Sequence, residues 1–118
     1  MLSIRTLISP YKLVLHESGR VTLEVTVTNK SSEPRLVSVT VETPHELALN
    51  TGGFVHRDER RIGTLKPGES KTIVFTIFAR PTTTPGRYEL RVVGMEHEEN
   101  YDYVIQESEK TVPLTVIQ

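Results

Sequence analysis

The chain has 118 residues and a mass of 13.3 kDa, the size of one domain built around one core. Its 14 Lys and Arg nearly cancel its 15 Asp and Glu, which excludes the strong net positive field that would attract nucleic acid or an anionic membrane surface. No cysteine is present, which removes disulfides, thiolate metal sites and cysteine nucleophiles, and apolar runs of four or five residues are too short to span a bilayer.

Val, Ile and Thr number 14, 7 and 15, whereas Ala, the best helix former, occurs only at Ala48 and Ala79. β-Branched side chains are stiff at χ1 and fit pleated surfaces, so the composition predicts an all-β domain. The first strand is predicted over Ser3–Ile8, stopped by Ser9-Pro10. Tyr11–Leu15 follows, with Tyr11, Leu13 and Leu15 on one face. Glu17-Ser18-Gly19 is a turn. Val21–Asn29 then alternates without a break, Val21, Leu23, Val25 and Val27 against Thr22, Glu24, Thr26 and Thr28. A slip of one residue would put four apolar side chains in water, so this register is strongly set.

After the polar turn Asn29–Pro34, Arg35–Glu42 turns Val37, Val39 and Val41 inward, and Thr43-Pro44 ends it. His45–Gly53 is expected to be irregular. Short strands are expected at Phe54–Val55 and Arg61–Leu65, around a charged hairpin tip at Arg57-Asp58-Glu59-Arg60-Arg61. Leu65-Lys66-Pro67-Gly68-Glu69 has β-turn chemistry and launches Ser70–Arg80. Both faces of that strand carry apolar residues, so cover on both sides is expected. Pro81–Gly86 is a corner, and Arg87–Met95 points Tyr88, Leu90 and Val92 inward. The acidic segment Glu96–Glu109 includes a predicted strand at Tyr101–Ile105, and Thr111–Gln118 is the last. Short strands at even spacing predict an antiparallel β-sandwich of about seven strands in two sheets, over residues 1–118 as a single domain, with a small barrel as the architectural alternative.

Three segments carry a family resemblance: Val-Thr-Leu-Glu-Val-Thr-Val-Thr-Asn at 21–29, Ile-Gly-Thr-Leu-Lys-Pro-Gly-Glu-Ser at 62–70, and Pro-Gly-Arg-Tyr-Glu-Leu-Arg-Val at 85–92. In order, they resemble the immunoglobulin-like modules of the CARDB, NEW3 and fibronectin-III-like groups. The resemblance implies an immunoglobulin-like fold and a non-catalytic role as spacer, adhesion or cell-surface module, or appendage to an enzyme. It also places Tyr88 where a tyrosine corner would be, its ring at the core edge and its hydroxyl on a nearby backbone group. The antibody-type Cys pair and core Trp are absent, and the acidic segment is longer than in the shorter modules.

Little in the chain points to chemistry. The four histidines, His16, His45, His56 and His97, form neither His-x-His nor His-x-x-x-His. Glu96-His97-Glu98-Glu99 with Asp102 offers carboxylates for a hard cation, but neighbours on an extended chain point to opposite sides, and a solvated acidic hairpin is expected. Gly-x-Ser-x-Gly and a phosphate-binding glycine loop are both missing. No enzyme, cofactor or metal site is therefore expected. Arg57, Arg60 and Arg61 form the densest basic patch and could pair an acidic partner. Tyr101 and Tyr103, two apart, would share one face of a strand and could form a sugar- or partner-binding platform. Asn29-Lys30-Ser31 matches a glycosylation acceptor.

The expected function is a non-catalytic interaction, adhesion or spacer module acting through sheet edges and loops. The alternative is a ligand- or carbohydrate-binding accessory module using Tyr101, Tyr103 and the acidic loop. A protein partner is expected, with Thr111–Gln118 as a candidate edge for strand addition or homodimer formation. The N-terminus lacks a secretory signal, which implies the cytoplasm for the chain as written, or an extracellular setting if it is excised from a longer protein.

Overall fold

Alternating side chains and proline corners divide the chain into two stacked layers. The computed structural model describes residues 1–118 and contains no helix. Its strands are β1 (Leu2–Ser9), β2 (Lys12–Val14), β3 (Arg20–Asn29), β4 (Arg35–Glu42), β5 (Leu47–Ala48), β6 (Arg57–Leu65), β7 (Ser70–Ala79), β8 (Gly86–His97) and β9 (Val104–Ile117). One sheet has the order β1-β3-β7-β5 and the other β2-β9-β8-β4-β6. This is the strand order of an immunoglobulin-like sandwich, with two open sheets rather than a closed barrel. Nine strands replace the expected seven because very short ones complete the edges: β2 has three residues and β5 has two.

The core follows from the period of two. Val21, Leu23, Val25 and Val27 of β3 are all buried, and Val37, Val39 and Val41 of β4 face them from the other sheet together with Leu90 and Val92 of β8. On the outer face of β3 and β7 the polar residues pair with each other. Thr26 and Thr72 hydroxyls lie 2.7 Å apart, and those of Thr28 and Ser70 lie 2.6 Å apart. That face is wet, so β7 is covered on one side only and Val74 is half exposed. Expected cover on both sides of this strand is therefore corrected: no third layer exists to bury Val74.

The first strand feeds both sheets. β1 pairs with β3 as far as Ser9, and Pro10, which has no N–H to continue a ladder, marks the crossing to the other sheet. There β2 runs parallel to the end of β9, with Lys12, Leu13 and Val14 opposite Thr115, Val116 and Ile117. Leu13 is buried, but Tyr11 falls outside the strand and is exposed.

Asn29, at the end of β3, ties the turn between β3 and β4 to the end of β6. Its side-chain NH2 donates to the carbonyls of Glu33 and Leu65 at 2.8 and 2.9 Å. Its side-chain oxygen accepts from the Ser31 amide and hydroxyl. The side chain is fully buried and its hydrogen-bonding capacity is used, so the Asn29-Lys30-Ser31 tripeptide does not present an acceptor amide in the folded chain.

Phe54–Val55 forms no strand. Instead Asn50 Oδ1 accepts the backbone amides of Gly53, Phe54 and Val55, which closes a loop and leaves Phe54 exposed. The charged run 57–61 is not a hairpin tip but half of the edge strand β6.

Candidate interaction edge

β8 and β9 form one long hairpin, and its sequence explains the length. Leu90 and Val92 face Val112 and neighbouring core residues, so the pair is anchored at its base. Farther out β9 becomes polar and exposed, while β8 stays mostly buried through Val93 and Gly94 and runs to His97. Gly94 lets this strand pass close beneath β1; a Cβ there would stand 3.1 Å from Leu2 Cδ1 and 3.2 Å from Ile4 Cδ1. A bulge between Glu96 and His97, where His97 pairs with Val104, twists the hairpin end.

Glu96 and His97 point to opposite faces. Glu96 is buried on the inner face, where one oxygen accepts from the Met1 amino group at 2.8 Å and lies 3.6 Å from Arg35 Nε; the other oxygen has no partner. His97 is buried on the outer face, with Nε2 2.7 Å from the Ser38 hydroxyl. Its ring packs edge-on against Tyr101 at 5.0 Å. No three His, Asp or Glu side chains converge to hold a metal ion. Ser38 is fully buried and His97 Nδ1 has no partner, so this serine–histidine contact lacks both solvent access and an orienting acid.

Tyr101 and Tyr103 do not lie on one strand. Both precede β9, in the hairpin tip. Tyr101 is half buried: its hydroxyl accepts the Gly63 amide at 2.9 Å, and the Arg61 guanidinium lies 4.7 Å from its ring centre. Tyr103 is exposed beside Glu98 and Glu99. The flat two-ring platform expected from their spacing is therefore absent, because the tip turns before the strand begins.

Strand alternation also divides the arginines. Arg57 and Arg61 lie on the outer face of β6, opposite Glu42 and Ser38. Arg60 lies on the inner face, bonded to Asp58 at 2.8 Å, with its guanidinium 4.7 Å from the centre of the Phe75 ring. Arg60 thus lids the open side of the core, and Arg61 clamps the hairpin tip. Tyr88 is half buried at the core edge, and its hydroxyl donates to the Thr84 carbonyl at 2.7 Å.

A row of alternating charge crosses the outer face, which individual residue types did not reveal. Arg57 Nε lies 3.9 Å from Glu42, Glu42 accepts from Arg91 at 2.9 Å, and Arg91 grips Glu109 through two nitrogens at 2.6 and 3.1 Å. Hydrogen bonding from Arg91 holds the Glu109 carboxyl below the usual carboxylate range, against some desolvation, and the same bond pushes Arg91 further up. The row spans β6, β4, β8 and β9 and ends on Glu109.

Beyond Glu109 there is no further strand. β2 covers β9 only at Thr115–Ile117, so Val104–Leu114 has a free outer side. Thr111–Gln118, expected as the edge, is thus capped at its end, and the open part lies before it. Tyr103, Val104 and Ile105 expose apolar surface at the head of this edge. By contrast, a depression of about 680 Å³ at one end of the sandwich, lined by His16, Arg20, Phe78 and Arg80 among others, is open and lined by no Asp or Glu side chain.

No family model and no curated protein matches the chain. Solved structures do. The chain is similar to native α2-macroglobulin from Escherichia coli, solved from domain MG7 to the C-terminus, with TM-score 0.73 and 19% identity over 98% of this chain and 16% of that one. It is similar to a FixG-related protein from Vibrio parahaemolyticus, with TM-score 0.63 and 10% identity over 98% and 95% of the two chains. It also resembles part of the alkylpurine DNA glycosylase AlkC of Pseudomonas fluorescens, with TM-score 0.56 and 17% identity over 99% of this chain and 30% of that one. The chain thus spans about a sixth of the length of the α2-macroglobulin fragment it matches. At these identities the likeness is one of fold: an immunoglobulin-like β-sandwich, also found as a part of larger proteins.

Proposed function

We propose that the chain is a non-catalytic interaction module, of the CARDB, NEW3 and fibronectin-III-like kind, that engages a protein partner along the outer side of β9. The observation carrying this reading is the unpaired stretch Val104–Leu114, whose free backbone groups begin beside exposed Tyr103, Val104 and Ile105. Such an edge can accept a strand from another chain, with main-chain bonds supplying affinity and side-chain positions supplying selectivity. The non-catalytic part of the reading draws support from the Ser38–His97 contact, which is buried away from solvent and has no orienting acid.

A photo-crosslinking side chain placed at Gln106 tests the proposal in cells, with Val74 on the opposite sheet as control. A discrete protein adduct at Gln106, lost when Ile105 is changed to Lys, is the expected result. Adducts at Val74 but none at Gln106 would refute the β9 edge as the contact surface.

A further inference from the structure

We propose that the occupant of the β9 edge is an extended segment of another protein carrying Lys or Arg at alternate positions. This rests on the edge-docking reading above and adds the chemistry of the partner. The first argument is the charge row. Its signs alternate across four strands, from Arg57 through Glu42 and Arg91 to Glu109, and the next strand position is empty. A cation on an added strand continues the alternation; an anion would face Glu109 directly. Two residues before Glu109, on the same outer face, exposed Glu107 has no ionic partner in the chain. Glu98, Glu99 and Asp102 extend the negative surface around the tip.

The second argument concerns a second copy of the chain. Two β9 strands paired antiparallel about a two-fold axis perpendicular to the sheet must centre on a residue. Centring on Glu107 sets that residue against itself. Centring on Ser108 sets Glu107 against Glu109 twice, and centring on Glu109 or Lys110 again opposes like charges. Like charges directly opposite destabilise a strand pair. The middle of the edge therefore disfavours self-pairing while favouring a basic strand. Pro113, lacking an N–H, limits the usable ladder to Val104–Val112. Because the apolar residues sit at the start of β9, an antiparallel partner would carry its basic residues first and an apolar residue after them.

The test uses the whole chain and three synthetic ten-residue peptides. One has alternating Lys and Thr followed by Val and Ile. The second replaces Lys by Glu. The third is the Lys peptide with alternate backbone nitrogens methylated, which keeps the charge but prevents strand pairing. The Lys peptide is expected to bind and to slow exchange of β9 amides. The Glu and methylated peptides should bind roughly tenfold more weakly, and added salt should weaken the Lys peptide. Glu107→Lys, with its melting temperature checked to establish folding, should shift preference toward the Glu peptide. Equal binding of Lys and Glu peptides, both with β9 protection, would overturn the basic partner and leave edge docking standing. Protection of no β9 amide by any peptide would overturn both. A concentration-dependent dimer that protects β9 amides would assign the edge to a second copy and also overturn the proposal.

Discussion

The hydroxyl of Tyr88 reaches back to the carbonyl of Thr84, four residues upstream, at 2.7 Å. The bond ties the start of β8 to the corner that delivers it, while the ring packs against the core. Tyr88→Phe keeps the ring and removes the donor. Its expected cost is about 1 kcal/mol, the usual net value of such a bond. Denaturant titration checks this, and an unchanged midpoint would mean that the bond contributes nothing.

Asn29 allows a sharper test. Its side chain donates twice to backbone carbonyls and accepts twice from Ser31 while fully buried. Asn29→Asp keeps the shape but removes both donors and aims a carboxylate at two carbonyl oxygens. Destabilisation of at least about 2 kcal/mol near neutral pH is expected, because a buried polar group loses its partners. The loss should shrink in acid, where the new carboxyl is protonated and regains one donor. A pH-independent loss in thermal denaturation would contradict this account.

The charge row predicts a specific acid response. Hydrogen bonding from Arg91 lowers the Glu109 carboxyl in the folded chain, so the unfolded chain binds its proton more readily. The stabilising contribution is therefore complete above the ordinary carboxylate range of about 4.3 and is lost as pH falls through the lower folded value. Carbon-detected NMR titration should place Glu109 below the ordinary carboxylate range, and Arg91→Gln should raise it toward that range. Titration of Glu109 within the ordinary carboxylate range in the unaltered chain would rule the linkage out.

Tyr101→Phe should loosen the hairpin tip without unfolding the sandwich. The Gly63 amide that bonds the Tyr101 hydroxyl sits in a β6 bulge with φ of +94°. Without that acceptor, Gly63 is expected to exchange its amide hydrogen at least about tenfold faster, while the core amides of β3 remain unchanged. Equal exchange in both forms would show that the tip is held by its aromatic and cationic packing alone.

How much of this was legible in sequence depended on burial. β3, β4 and the base of β8 face a continuous core, so every second residue had to be apolar and the period of two was plain. β6 is an edge strand whose partner covers one side only. Its Arg57-Asp58-Glu59-Arg60-Arg61 run carries no apolar alternation, and Arg60 faces inward only because its guanidinium can lie on Phe75. The Tyr101–Tyr103 pair misled for a related reason. Spacing of two implies a shared face only within a strand, and here the bulge beside His97 and the Glu98–Tyr103 turn shift the strand start to Val104. The charge row was invisible because its members are brought together by inter-strand register, which no local pattern encodes.

The crossing of the first strand at Pro10 has a mechanical consequence. β1 is held lengthwise by eight register pairs to β3, and β2 by three to β9, with β2 and β9 running in the same direction. Tension applied between the first and last residues would pull these neighbours past one another, loading all the rungs of each tie together instead of opening them one by one. Stretched along its 47 Å axis, the domain is expected to yield in one abrupt step in a single-molecule extension trace, at a force set by the short β2–β9 tie.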